Sequence, residues 1–108
     1  MTIERGTTQE LYITIKGFDL TDCDIYITFQ QGPVTLTKKT MTSVTYTNNI
    51  TRILLTLSQQ ETLMFQENKS GKLQARWVEP DGSTYKTATA RFDVDELLYE
   101  AVLEKEAD

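Results

Sequence analysis

The fold is decided by one stretch of the sequence, residues 25–30, which reads Ile25-Tyr26-Ile27-Thr28-Phe29-Gln30. Its large apolar side chains alternate with more polar ones, which is the pattern of a β-strand that buries one face. The same period of two recurs along the chain, with turn residues between the runs. The further runs are residues 11–16, 34–36, 44–46, 53–57, 73–77 and 88–94. The sequence therefore predicts a mainly β protein of about seven strands.

Turn residues separate the predicted strands. Asn48-Asn49 lies between two runs, and asparagine tolerates the left-handed backbone that a tight hairpin requires. Pro80-Asp81-Gly82-Ser83 is the strongest turn signal, because proline presets φ and glycine adopts positive φ. Short strands with turns at fairly even spacing favour an immunoglobulin-like antiparallel β-sandwich over a barrel. We expect the core to contain the inward-facing residues Leu11, Ile13, Ile25, Ile27, Phe29, Leu55, Leu57, Leu73, Ala75 and Trp77.

Two segments outside the predicted strands have helical patterns. Ser58 and Glu61 have the spacing of a capping box, which predicts a short helix between two strands. Residues 94–103 predict an amphipathic C-terminal helix, which we expect to dock its apolar stripe on a β surface of the same chain or of a partner. The stripe consists of Val94, Leu97, Leu98, Ala101 and Val102. The predicted organisation is a β-sandwich domain over residues 1–93, then the helix and an acidic tail over residues 94–108.

Charge is distributed unevenly along the 108 residues. The net charge is −5, yet residues 93–108 contain seven acidic residues and one basic residue, while residues 1–92 contain nine and ten. A nucleic-acid partner usually requires clustered Lys and Arg, and we expect none here. No stretch approaches the roughly 18 apolar residues of a membrane span, and the first residues lack an apolar signal core. We therefore expect no membrane partner and synthesis in the cytoplasm.

Residue types that commonly perform catalysis or bind metals are scarce. The chain has no histidine and one cysteine, Cys23, whose thiol pKa would be raised by its neighbours Asp22 and Asp24. We expect Cys23 to be a half-buried filler, and we expect no enzymatic activity and no cofactor. Asp19, together with Asp22 and Asp24, is the one acidic cluster that suggests calcium. Capping of turns by these aspartates before the strand at Ile25 is the stronger interpretation.

Tyrosines offer an alternative function. Four of them fall on or near the polar faces of predicted strands, where aromatic rings can bind a sugar, although tyrosine is also a good strand former. They are Tyr12, Tyr26, Tyr46 and Tyr85. Trp77 falls on the face that should be the core side. A carbohydrate-binding accessory β-sandwich module therefore stays open as a second hypothesis, and Tyr12 and Tyr26 join the helix stripe as candidate interaction residues.

Several stretches within residues 4–103 also point to a known family. They are Arg5-Gly6-Thr7, Asp19-Leu20-Thr21, residues 25–32, residues 55–65, Gln74-Ala75-Arg76-Trp77 and Asp81-Gly82. In these stretches the chain resembles small immunoglobulin-like proteins encoded among structural genes of phages and prophages of gut Firmicutes. It is distantly similar to the N-terminal domain of phage baseplate upper proteins.

This resemblance implies a function without chemistry. It implies a non-enzymatic structural or interaction module of a phage or prophage particle, in the tail or baseplate region, and hence a virion component. It further implies partners among other phage structural proteins, or association of the chain with itself as a homo-oligomer. The family has no active-site residues to transfer to this sequence.

Overall fold

The computed structural model describes residues 1–105, and the last residues of the predicted acidic tail, 106–108, lie outside the described residues. Residues 1–105 form nine β-strands and one short helix, so the prediction of a mainly β protein is confirmed. The strands are β1 Thr2–Ile3, β2 Gln9–Lys16, β3 Asp24–Gln31, β4 Val34–Lys38, β5 Ser43–Thr47, β6 Ile50–Leu57, β7 Ser70–Val78, β8 Thr84–Lys86 and β9 Ala90–Val94, and the helix is α1 Gln59–Leu63.

The strands form two sheets. The larger sheet has the order β1-β9-β7-β3-β4, with β8 paired to residues 76–78 of β7, and the smaller sheet has the order β2-β6-β5. Within residues 1–105, every pairing is antiparallel except that of β1 with β9, which places Thr2 opposite Asp93 in a parallel pair. The prediction of a purely antiparallel arrangement is wrong for this pair. The first and last strands are not joined by a hairpin, so no turn imposes an antiparallel direction on them.

One core is shared by the inward faces of the two sheets. In the larger sheet Ile25 lies opposite Trp77, and in the smaller sheet Leu11 lies opposite Leu55. Nine of the ten predicted core residues are buried, and the tenth, Ile13, is half-buried against the same cluster. The period-two pattern thus assigned the buried faces correctly. The core also contains Ile3, Ile15, Leu20, Ile53, Phe65, Phe92 and Val94.

Both predicted turns have the backbone conformations that their residues favour. Asn48 and Asn49 have φ of 55° and 63° and connect β5 to β6, as a two-residue hairpin with positive φ at both positions requires. In the turn before β8, Gly82 has φ of 90° and its N–H donates to the carbonyl of Glu79 at 2.9 Å. These turns fix which strands become hairpin neighbours.

The predicted capping box begins helix α1. The Oγ of Ser58 accepts a hydrogen bond from the N–H of Glu61 at 3.2 Å, and the N–H of Ser58 donates to Glu61 Oε1 at 2.9 Å. This exchange satisfies two backbone donors at the helix start that have no intrahelical partner. Thr62 faces inward and is fully buried. The prediction of a short helix between two strands is confirmed.

The sequence pattern does not predict the strands β1 and β8, and β9 is shorter than predicted. β1 and β8 span two and three residues, too few to show an alternation. The run predicted over residues 88–94 forms a strand only from Ala90 onward. The chain is still bonded to β7 at Thr87, one residue beyond β8, and it begins β9 only after this contact. The N–H of Thr87 donates to the carbonyl of Ala75 at 2.9 Å, and its hydroxyl accepts the N–H of Ala75 at 3.2 Å.

The predicted C-terminal helix over residues 94–103 is wrong, because residues 95–105, hereafter the C-terminal segment, form no helix. Val94, the first residue of the predicted stripe, is instead the buried last residue of β9. The backbone of Asp95 continues the pairing with β1, since its N–H donates to the carbonyl of Ile3 at 3.1 Å. A short helix has few hydrogen bonds to offset nucleation, and the glutamates of this segment would repel one another at helical spacing.

Candidate interaction surface

The C-terminal segment is attached to the body at few points. The N–H of Leu97 donates to Glu67 Oε2 at 3.1 Å, and the side chain of Leu97 packs where a Cβ on Gly6 would overlap it. Further along, the side-chain amide of Gln59 in α1 exchanges two hydrogen bonds with the backbone of Leu103. The segment therefore follows the β1–β2 connection and the start of α1.

The residues of the predicted stripe do not share one buried face. Val94 is buried, and Leu97 and Ala101 are half-buried. The other large apolar residues of the segment, hereafter the apolar strip, face solvent. They are Leu98, Tyr99, Leu103 and Val102, with 92%, 70%, 61% and 42% of their surface exposed. Exposed apolar groups collected in one segment are typical of contact sites.

Arg5 joins the β1–β2 connection to α1 and to the C-terminal segment. Its backbone N–H donates to Asp95 Oδ1 at 2.8 Å. Its guanidinium donates through Nε to the carbonyl of Phe65 at 2.7 Å and through Nη1 to Glu100 Oε1 at 2.6 Å. A longer bond from Nη2 reaches the carbonyl of Leu63 at 3.4 Å. No sequence pattern predicts this role for Arg5, although its charge is opposite to that of the acidic segment.

The two candidate tyrosines lie on the outer faces of different sheets. Tyr12 is exposed on the smaller sheet, with the guanidinium carbon of Arg52 5.1 Å from its ring centroid. Tyr26 is half-buried on the larger sheet, with Lys39 Nζ 5.8 Å from its ring centroid. A cation at such a distance is attracted to the face of an aromatic ring, and at an exposed site this cation–π interaction stabilises the structure modestly. The structure therefore does not combine Tyr12 and Tyr26 in one site.

The other candidate aromatic residues differ from Tyr12 and Tyr26 in their surroundings. Trp77 is buried as predicted, with Phe18 edge-on at 5.2 Å and Tyr85 stacked at 6.0 Å between ring centroids. The Nε1 of Trp77 has no hydrogen-bond partner within residues 1–105. The hydroxyl of Tyr46 donates to Asn49 Oδ1 at 3.2 Å, beside the hairpin between β5 and β6. The four tyrosines thus lie in four different surroundings.

Cys23 and Asp19 have the surroundings that the sequence predicted. Cys23 is half-buried against the core. Burial raises the pKa of its thiol, and the charges of nearby carboxylates, with Glu79 and Asp19 the strongest, raise the pKa further. Asp19 Oδ1 accepts hydrogen bonds from the hydroxyl of Thr21 at 2.6 Å and from its N–H at 3.0 Å, and these bonds lower the pKa of Asp19. Asp19 therefore caps the turn before β3.

One long edge of the smaller sheet has no strand partner within residues 1–105. β2 pairs with β6 on one side only. One position beyond this register, the N–H of Gly17 donates to the carbonyl of Asn49 at 2.8 Å. Gly17 and Asn49 are therefore a hydrogen-bonded pair, and such pairs alternate with non-hydrogen-bonded pairs along an antiparallel ladder. It follows that the odd-numbered residues of β2 bond to β6, whereas the even-numbered residues direct their backbone N–H and C=O groups outward, away from β6 and toward the open edge. The outward-directed residues are Glu10, Tyr12, Thr14 and Lys16.

Comparison of the sequence with models of known protein families and with curated proteins gives no significant match. The resemblance to phage structural proteins therefore stays a prediction. Among residues 1–105, no helix combines the length and the apolar character needed to cross a membrane.

Proposed function

We propose that this chain is a non-enzymatic structural module that binds other proteins within an assembly. The observation that carries the proposal is the apolar strip, whose four large side chains are held in solvent beside an acidic and polar surface. Burying a large aliphatic side chain contributes on the order of 1.5–3 kcal/mol, so covering the strip would stabilise a complex. Arg5 and Gln59 attach the segment to the body, and the strip is therefore presented at a defined place.

The strand order supports an immunoglobulin-like sandwich as the body of this module. In the lettering of immunoglobulin domains, β2-β6-β5 corresponds to B-E-D and β9-β7-β3-β4 to G-F-C-C′. The chain departs from antibody domains in two respects. Its tryptophan, Trp77, lies on the equivalent of strand F and not of strand C, and its single cysteine cannot join the sheets by a disulfide. A body of this kind is a rigid scaffold for contacts.

The narrower proposal is that the assembly is a phage or prophage particle and that the module belongs to its tail or baseplate region. The resemblance of residues 4–103 to small immunoglobulin-like phage proteins supports it. Carbohydrate binding stays the alternative prediction. The geometry favours protein binding over carbohydrate binding. Trp77 is buried, and Tyr12 and Tyr26 lie on different sheets, so these aromatic rings do not form one surface for a sugar.

The proposal is tested on particles released by a lysogen that carries the gene for this chain. Quantitative mass spectrometry of gradient-purified particles should find the chain in a constant ratio to the major capsid protein. The double variant Leu98→Asp/Leu103→Asp should reduce that ratio, because charged side chains in the apolar strip oppose its burial.

The matched control is Thr40→Asp/Thr89→Asp, which adds the same charge at two exposed positions outside the C-terminal segment and should leave the ratio unchanged. The proposal fails if the chain is abundant in the lysate and absent from the purified particles.

A further inference from the structure

We propose that β2 pairs antiparallel with β2 of a second copy of this chain, which joins two three-stranded sheets into one continuous sheet. The inference rests on the proposed protein-binding role and names the partner at a surface other than the apolar strip. It is carried by the unpaired hydrogen-bonding groups of the edge, by the charges along it and by the half-buried Ile13.

The edge of β2 is long, and neither a proline nor a bulge interrupts it. It spans eight residues, whereas the edge strands β4 and β5 span five each and β1 spans two. Proteins usually blunt such edges with proline, a bulge or an inward-pointing charge. Gln9–Lys16 contains no proline, and its register with β6 runs without interruption. A row of unpaired N–H and C=O groups of this length is a template for another strand.

The charges along the edge select one register. If two β2 strands pair about Ile13, Glu10 of each copy faces Lys16 of the other, and Tyr12 faces Thr14 of the other. All four outward-directed residues then form hydrogen-bonded pairs, with opposite charges at both ends and an aromatic–β-branched pair beside the centre. Neither Glu10 nor Lys16 is in an ion pair within residues 1–105, so both are available for these contacts.

Neighbouring registers lose this complementarity. A shift that places Tyr12 opposite itself moves Lys16 to Thr8, beyond the end of the strand. A shift in the other direction moves Glu10 to Phe18, beyond the other end. In both cases the charges have no opposite partner, and the paired length decreases.

The same register continues the apolar inner face of the sheet. Leu11 of each copy faces Ile15 of the other, and the two Ile13 side chains meet in a non-hydrogen-bonded pair, where cross-strand side chains come closest. Ile13 is the predicted core residue that stays half-buried in the single chain, while Leu11 and Ile15 are buried. Strand pairing would cover the part of Ile13 that is left exposed.

The experiment is sedimentation equilibrium of the full chain over a concentration series. We expect a monomer–dimer equilibrium. Glu10→Lys alone, or Lys16→Glu alone, places like charges opposite each other at both ends of the pairing and should weaken the dimer roughly tenfold. The double variant Glu10→Lys/Lys16→Glu reverses both charges and should restore the wild-type dissociation constant. Lys86→Glu, exposed on β8, is the control for net charge and should leave the constant unchanged.

A second variant addresses the backbone. Thr14→Pro removes one outward N–H from an edge strand without removing a bond to β6, so the chain should stay folded by circular dichroism and lose the dimer. The inference is overturned by a chain that is monomeric at every concentration, by a dimer that withstands Thr14→Pro, or by a double charge variant that does not restore association. A monomeric chain incorporated into particles overturns this inference alone, whereas a dimeric chain absent from particles overturns the proposed function alone.

Discussion

At the scale of single residues, Trp77 is the largest of the fully buried side chains within residues 1–105, and aromatic residues from two other parts of the chain contact its ring. Phe18 contacts it from the β2–β3 connection, and Tyr85 stacks on it from β8. Its indole N–H has no partner within residues 1–105, and leaving a buried donor unpaired costs about 1–3 kcal/mol. Packing of the ring offsets that cost, so Trp77 stabilises the fold through the contacts of its ring and not through a hydrogen bond.

Trp77→Ala should lower the free energy of unfolding by about 3–5 kcal/mol, because it leaves a cavity between the sheets. Trp77→Phe should lower it by less, since a ring remains and the unpaired N–H is removed. Urea denaturation followed by circular dichroism measures both, because Trp77 is the sole tryptophan and its fluorescence is lost. Thr40→Ala, at an exposed position outside the strands, is the control and should stay within about 0.5 kcal/mol. A loss below about 1 kcal/mol for Trp77→Ala would show that the ring is not buried.

Glu61 connects helix α1 to strand β4. Burial raises the pKa of its carboxyl, but hydrogen bonds from Ser58 and from Lys38, together with the charge of Lys38, outweigh burial and hold the pKa below its usual 4.5. The Nζ of Lys38 lies 2.9 and 3.0 Å from the two carboxylate oxygens. A carboxyl whose pKa is lower in the folded state stabilises the fold above the unfolded pKa. That stabilisation is lost as the pH falls through the folded pKa.

Glu61→Gln should lower the free energy of unfolding at neutral pH by about 1 kcal/mol or less, because it removes the ion pair and keeps an acceptor for Ser58. The difference between wild type and variant should shrink as the pH falls from the unfolded pKa of about 4.5 through the lower folded pKa, because Glu61 is then protonated in both states. Urea midpoints at a series of pH values measure this difference. Glu4→Gln, exposed in the β1–β2 connection and outside any ion pair within residues 1–105, is the control. A difference that is the same at neutral and acidic pH would contradict the assigned role.

At the scale of elements, Val94 shows what the sequence could and could not predict. It ends the period-two run of β9 and also begins the helical stripe of residues 94–102, so the local pattern fits two structures. The strand forms because β9 pairs with β7 on one side and β1 on the other, and β1 comes from the opposite end of the chain. Local patterns identified the major strands, the turns and the cap of α1, whereas pairing between distant segments leaves no periodic signal.

Two truncations separate the roles of β9 and the C-terminal segment. Removing residues 96–108 takes away the ion pair of Arg5 with the exposed Glu100, worth at most about 1 kcal/mol, and the half-buried Leu97. Removing residues 94–108 also removes Asp95, with its bonds to Ile3 and Arg5, and the buried Val94, whose loss alone should cost about 1.5–3 kcal/mol more. Urea denaturation compares the two with the full chain. Equal stabilities of the two truncated chains would contradict the assignment of Val94 to the core.

At the scale of the whole molecule, the sequence predicts several residues of the candidate surfaces, but it does not predict how these residues are arranged in space. Its position on a polar face makes Tyr12 a candidate, and the structure places Tyr12 among the outward-directed residues of β2. Leu98 and Val102 were candidates from a helical pattern, and they are exposed although no helix forms. No sequence pattern predicts the open edge of β2, because a strand becomes an edge only when no other strand lies beside it. That property belongs to the topology and to no local run of residues.

The parallel pairing of β1 with β9 determines how a mechanical load would pass through this protein. Both strands run in the same direction, so tension applied at residue 1 and at residue 95 pulls them in opposite directions along their axes. The bonds from Asp93 N–H to the Met1 carbonyl and from Asp95 N–H to the Ile3 carbonyl are then sheared together, and they do not open one after another. The two-sheet core is shielded from the load until this clamp yields.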